Sequence, residues 1–187
     1  MTGRGVAGLG VVWALVAGCL GGQAAALRPS EKPALSVSGD IGRRYLDPVF
    51  GFELVRPVGN WRLEVTDEAP SDGVAVPLVL READVGTQVV VQVAPAVASP
   101  SEFAVRLVTG LRHHPGFIAS EPAVLAGIQT AVGFGFTLGE SIHGRVVVAD
   151  GGPGQVFMMM ATWPAASTGA ARDVEEIFKS LRPVPRG

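Results

Sequence analysis

The stretch "HGRVVVADGGPGQVFMMMATW", His143 to Trp163, constrains the fold more than any other. Two apolar runs flank Gly151 to Gly154, whose three glycines and one proline have the composition of a hairpin turn. Pairing Asp150 with Gln155 sets Val148 opposite Phe157 and Val146 opposite Met159, one strongly apolar face ending near Trp163. His143, Arg145, Val147, Met158 and Met160 then share the other face, which is mixed rather than solvated. A hairpin with one strongly apolar face and one mixed face predicts at least partial cover on both sides. The chain therefore needs elements above and below this sheet.

Further strands are legible upstream. "WRLEV" places Trp61, Leu63 and Val65 on one face and Arg62 and Glu64 on the other. "TQVVVQVAP" alternates Val89, Val91 and Val93 against Gln88 and Gln92. "VAVPLVL", from Val74 to Leu80, is apolar, but Pro77 cannot donate to a ladder, so this strand should be an edge or bulged. In "AVLAGIQTAVGFGFTL" the glycines Gly127, Gly133 and Gly135 predict bends or close packing under another layer.

Two segments supply the cover. "SPSEFAVRLVTGLRHH" opens with Ser99, Pro100 and Glu102, the pattern of a capping box with proline at the first helical position. Phe103, Leu107 and Leu111 follow at helical spacing. "ARDVEEIFKSLRP" carries a stripe of Val174, Ile177, Phe178 and Leu181, and Pro183 should end it. Antiparallel strands with helices at separate points of the chain predict an α+β fold, an antiparallel β-sheet covered by helices.

The strands and helices occupy one stretch, residues 44–187, of ordinary domain size. Before it, "LGGQAAALRPSEKPALSVSGD" is small, polar and proline-dotted, without an apolar period, and reads as a flexible tether within residues 19–43. Residues 1–18 read as a signal peptide. Arg4 precedes the apolar run "VAGLGVVWALVAG", which falls short of the roughly 20 residues a membrane span needs. Ala17 and Gly18 then lead directly to Cys19, the single cysteine of the chain.

"Val16-Ala17-Gly18-Cys19" resembles the lipobox of bacterial lipoproteins. The resemblance implies diacylglyceryl transfer to the Cys19 sulfur, cleavage before Cys19, and acylation of the new amino group, palmitate being a typical chain. Small side chains suit a protease site, and a thiolate is a good nucleophile for taking up lipid. An ordinary signal peptide with an incidental Cys19 is the plainer alternative, and it leaves the ordered run of apolar core, small pair and cysteine unexplained. With Cys19 lipidated no thiol remains for a disulfide or metal site. Two or more acyl chains anchor durably. The position after Cys19 is Leu20, not the aspartate that holds some enterobacterial lipoproteins in the inner membrane. An outer-membrane location is therefore open, with the domain facing the periplasm or the cell exterior.

The sequence carries 15 Lys+Arg against 17 Asp+Glu, a formal net charge of -2. No basic stripe runs along it, which argues against nucleic acid as a partner. The membrane, through Cys19, and an unidentified envelope protein are the partners expected.

"YLDPVFGFELVRPVGNW", Tyr45 to Trp61, resembles the opening of bacterial proteins related to PsbP, in the residues Phe50, Phe52, Pro57, Gly59 and Trp61. The order that follows, strands, a capped helix, a long meander and a last helix ending near "KSLRP", fits as well. Relatives often end on a serine and an aromatic; here Leu181 follows Ser180. The resemblance implies a Mog/PsbP-like α/β/α sandwich, a fold that mostly serves binding and assembly, and it implies no catalytic residues.

Candidate chemistry is sparse. His113 and His114 close the first predicted helix, where imidazolium suits the helix C-terminus. His143, Met158 and Met160, if on one face as the assumed register has it, would form a soft-metal set suited to Cu(I); methionines filling gaps under a helix is the structural alternative. "GESIHG" offers Ser141 and His143 without a nucleophile elbow. Asp67, Glu68, Asp72, Glu82 and Asp84 read as loop charges. "GGPG" lacks the lysine and helix of a phosphate loop. The expectation is a lipid-anchored envelope binding or assembly module, not an enzyme, with no cofactor. The alternatives are a small envelope hydrolase and a periplasmic copper carrier.

Overall fold

The computed structural model describes residues 43–66, 73–126 and 130–186. Cys19, the expected signal peptide and most of the tether lie outside them, as do Asp67, Glu68, Asp72 and Gly127. Along the chain run β1 (Arg44–Asp47), β2 (Phe52–Val55), β3 (Trp61–Val65), β4 (Ala75–Glu82), β5 (Gln88–Pro95) and α1 (Pro100–Leu111). There follow β6 (Phe117–Ala119), β7 (Ala123–Val124), β8 (Ala131–Leu138), β9 (Ile142–Asp150), β10 (Gln155–Pro164), α2 (Ala170–Ser180) and β11 (Arg182–Pro183). An eight-stranded sheet has the order β3-β4-β5-β10-β9-β8-β6, with β7 also on β8; β1-β2-β11 form a separate three-stranded ribbon. Every pairing is antiparallel. With a helix on each side of the large sheet, this is an α+β sandwich.

Strand alternation divides the interior in two. Val89, Val91, Val147, Ala149, Phe157, Met159 and Ala161 face α2, where they meet Val174, Ile177 and Phe178. Val132, Phe134, Phe136, Val146, Val148, Val156, Met158 and Met160 face α1, where they meet Phe103, Leu107, Val108 and Leu111. Both faces of the hairpin are thus at least partly covered, as its composition predicts. The ribbon closes the first core: Phe52 and Leu54 are fully buried, and the Phe52 ring meets Phe157 edge-on at 5.6 Å. Ser180 Oγ accepts the Val55 N–H at 2.9 Å, tying the end of α2 to β2.

The hairpin register differs from the sequence expectation by one residue. Phe157 stands opposite Ala149, Met158 opposite Val148 and Met159 opposite Val147. The ladder closes on Gly151 and Gln155, whose N–H and carbonyl bond at 3.1 Å, so the turn holds three residues rather than four. Gly152 and Gly154 take φ of 88° and 77°, and Asp150 Oδ1 accepts the Gly152 N–H at 2.9 Å. Gly151 is held to glycine by proximity, since a Cβ there would lie 2.8 Å from Gln155 Cγ. A one-residue slip exchanges faces. Met158 and Met160 therefore lie buried under α1, while His143 is exposed on the opposite face. The proposed copper set does not share a surface.

Three other expectations resolve in detail. Pro77 sits in a bulge, the β4–β5 register shifting between Ala75 and Leu78, and β4 is an interior strand. The capping box forms as read, with Ser99 and Glu102 bonding reciprocally. The first helix stops at Leu111, so His113 and His114 lie in the turn beyond it, and backbone N–H groups, not imidazoles, take the Val108, Gly110 and Leu111 carbonyls. The last helix ends at Ser180, ahead of Pro183, because Leu181 turns extended to start β11.

Two outcomes follow for stability. Phe178, 1% exposed, is the aromatic anchor of α2, so Phe178→Ala should cost about 3–5 kcal/mol, read as a lower denaturation midpoint with α1 intact. The Glu102 carboxyl lies below its ordinary value because it accepts the Ser99 backbone N–H and, second, its hydroxyl. A lowered folded value means this cap stabilises fully above the ordinary carboxylate range and is lost as pH falls through the lowered value. In Ser99→Ala the Glu102 titration, followed by NMR, should move upward.

Candidate functional site

The helices cover opposite halves of the sheet. On the α1 side α1 packs on β8 and β9; on the other side α2 packs on β10 and β2. Each face therefore keeps one half without a helix. On the α1 side that half carries Arg62, Glu64 and Arg81 on its outer strands, with Arg81 Nε bonded to Glu64 at 3.0 Å, beside the buried Val79, Gln88, Val90 and Gln92. On the α2 side it is an open groove of about 640 Å³.

The sequence of β8 explains the groove. "AVGFGFTL" sends Val132, Phe134 and Phe136 to the α1 core and leaves Ala131, Gly133, Gly135 and Thr137 on the other face. Nothing on that side is large enough for a helix to pack against. The glycines differ in role. At Gly133 a Cβ would lie 2.8 Å from the Val146 carbonyl and 3.0 Å from Leu125 Cδ1, so glycine lets Leu125 close down on the strand. At Gly135 the nearest atom to a Cβ is the Gly144 carbonyl at 3.9 Å. Gly135 is exposed, and its face is free space. On the other side of the sheet the Phe136 ring covers Gly144, filling the gap where that strand lacks a side chain.

Polar and aromatic groups stand around this floor. His143 and Trp163 are cross-strand partners, their rings 6.4 Å apart and edge-to-face at 76°. Arg145 Nη1 meets Glu175 Oε2 at 2.6 Å, each side chain one-third exposed, and Lys179 approaches the same carboxylate at 3.5 Å. That pair ties α2 to β9 at the groove wall; at this exposure its worth is modest. Ser120 Oγ accepts the Gly135 N–H at 3.1 Å, so this hydroxyl is spent on the backbone. Glu121 at the rim pairs with Arg112.

Of the residues singled out from sequence, only His143 reaches the groove. Ser141 lies in the β8–β9 turn, its carbonyl accepting the Ala165 N–H. Asp150 is at the far end of β9, roughly 23 Å from His143 at about 3.3 Å per residue. Ser141, His143 and Asp150 therefore do not converge. Glu82 and Asp84 hold their own loop, Glu82 accepting the Val85 N–H and Asp84 the Asn60 amide. Among the described residues no group of three His, Cys, Asp or Glu is placed to hold a metal ion, and no helix is long and apolar enough to cross a membrane. Gly135, Thr137, Arg145 and Trp163 were not singled out as a site; the alternation of phenylalanine with glycine in "GFGF" is the signal that pointed there. Chemically the groove offers flat van der Waals contact, a Trp163 edge and a neutralised guanidinium. It offers contact to a surface laid against it.

No family model matches the sequence, and no curated protein matches it. Several solved structures are similar in shape at low identity. Cyanobacterial PsbP (CyanoP) from Synechocystis sp. PCC 6803 is 16% identical, over 80% of this chain and 98% of its own, with a TM-score of 0.49. LpqN, described as involved in cell envelope biogenesis of Mycobacterium tuberculosis, is 16% identical over 79% of this chain and 88% of its own, TM-score 0.49. The Saccharomyces cerevisiae Ran-binding protein Mog1p is 12% identical over 76% and 95%, TM-score 0.45. These are likenesses of shape alone.

Proposed function

We propose that this chain is a lipid-anchored cell-envelope binding or assembly module with no catalytic activity of its own. The observation that carries the binding half is the bare, glycine-floored groove beside His143, Trp163 and Arg145. A sheet half left without helix, on a face whose other half is a dense core, leaves surface open to contact. The anchoring half rests on "VAGC" after an apolar run. The hydrolase alternative loses support because Ser141, His143 and Asp150 are separated along β9, and Asp150 is committed to its turn. It would regain support if the purified protein turned over an esterase, phosphatase or glycosidase substrate and His143→Ala abolished that turnover without unfolding.

The anchor is tested at Cys19. Cys19→Ser should move the protein out of the membrane fraction or leave it uncleaved. Intact mass of the wild-type protein should show acyl chains; an unmodified Cys19 at the mature terminus overturns the anchoring. The groove is tested at its floor. Gly135→Val projects a side chain into open space and should leave the melting temperature unchanged or slightly raised, since a branched residue suits a strand. The same substitution should abolish light-driven adducts formed in cells from a photoreactive residue at position 137. Adducts that persist with Gly135 filled would place the contact elsewhere.

A further inference from the structure

The two ends of the described chain meet in the β1-β2-β11 ribbon, and so do five of its arginines. Arg43, Arg44, Arg56, Arg182 and Arg186 stand there against Asp47 and Glu53. Between Pro57 and Leu181 the balance reverses, with seven Lys and Arg against ten Asp and Glu among the described residues. A chain that is nearly neutral overall therefore folds into a basic ribbon on an acidic body. Both acids of the ribbon are already engaged. Asp47 is buried and accepts the Val49 and Phe50 N–H groups, and Glu53 pairs with Arg44.

The ribbon has one core face and one outer face. Tyr45, Phe52 and Leu54 turn inward. Leu46, Glu53 and Arg182 lie in register across the three strands and share the outer face with Arg44. Arg43, Arg44, Arg182 and Arg186 are exposed; Leu46, at 56% exposure, shares the outer face with Arg44 and Arg182, and Val49 in the β1–β2 turn is 72% exposed. Exposed aliphatic residues set in a field of arginines match an anionic bilayer surface, where guanidinium groups meet phosphates and short apolar side chains enter the headgroup layer.

We infer that the outer face of the β1-β2-β11 ribbon rests on an anionic lipid surface. The inference builds on the tether reading for one point: chain joined to lipid at Cys19 enters the domain at Arg43, on this ribbon and not on the acidic body. On that reading the ribbon is held at high effective concentration near the bilayer. Weak contacts then suffice to orient the domain. The groove, built on β8 and β9, belongs to the large sheet and stays free for its partner.

The test uses the chain from residue 19 with Cys19→Ser, which keeps every core residue, since those lie between Phe52 and Leu181. Having no thiol to acylate, it reports on the ribbon whether or not Cys19 is lipidated in the cell. Sedimentation is measured with phosphatidylcholine vesicles, with and without about one-third phosphatidylglycerol. Binding should require the anionic lipid and weaken as salt rises. Arg43→Gln/Arg182→Gln/Arg186→Gln should reduce the partition coefficient on the order of a hundredfold, about fivefold per charge. Arg62→Gln/Arg106→Gln/Arg172→Gln, which removes exposed charge from the body, should leave it unchanged or raise it. Circular dichroism confirms folding of each. No binding to anionic vesicles at low salt, equal binding to neutral ones, or equal loss from both triple variants overturns the inference. Retention on an acidic polysaccharide without vesicle binding overturns it as well, assigning the ribbon to a different partner.

Discussion

The β9–β10 ladder is the element on which both cores depend. It lies at the centre of the large sheet, and each of its strands gives alternate residues to opposite layers. Phe157 and Met159 complete the core under α2; Val146, Val148, Met158 and Met160 complete the one under α1. Its register is set by a small feature, the Gly151–Gln155 closing pair and the three-residue turn beyond it. A single-residue slip there would move apolar side chains between layers along the whole ladder. The Gly151–Gln155 hydrogen bond that closes the ladder therefore stands at the register on which the partition of the interior depends.

Helix placement follows from what the strands offer. A helix settles where side chains are large and continuous, and it avoids a row of alanine, glycine and threonine. The alternation in β8 presents the large set to α1 and the small set to the other face. The offset of the two helices, and with it the groove, is thus a consequence of core packing and needs no separate cause. The Arg145–Glu175 pair marks the border between covered and uncovered halves.

The ribbon adds a second asymmetry. It buries Phe52 and Leu54 against the α2 core and in doing so brings the two ends of the described chain together. The first described residue, Arg43, and the basic surface then belong to one ribbon, while the groove is built on other strands. A module arranged this way can be held to a membrane by one surface and meet a partner with another.

Much of the architecture was legible in the chain. The capping box at Ser99 and Glu102, the alternation of Trp61, Leu63 and Val65, the stripe Val174, Ile177, Phe178 and Leu181, and the bulge at Pro77 are local signals, decided by backbone geometry within a few residues. The need for cover on both faces of the hairpin was equally plain from its composition. What the sequence left open depended on contacts between distant segments. The register turned on how closely Gly151 approaches Gln155, which no periodicity reports, and it separated His143 from Met158 and Met160. The groove became a site only when Trp163, Arg145 and α2 were placed around the Gly133–Thr137 face. The basic ribbon joins arginines more than a hundred positions apart, and a count of charge along the chain averages them away against the acids between. Local propensity and composition determined which elements form; the tertiary structure alone decided which faces they share, because shared faces are set by packing between strands that the sequence keeps far apart.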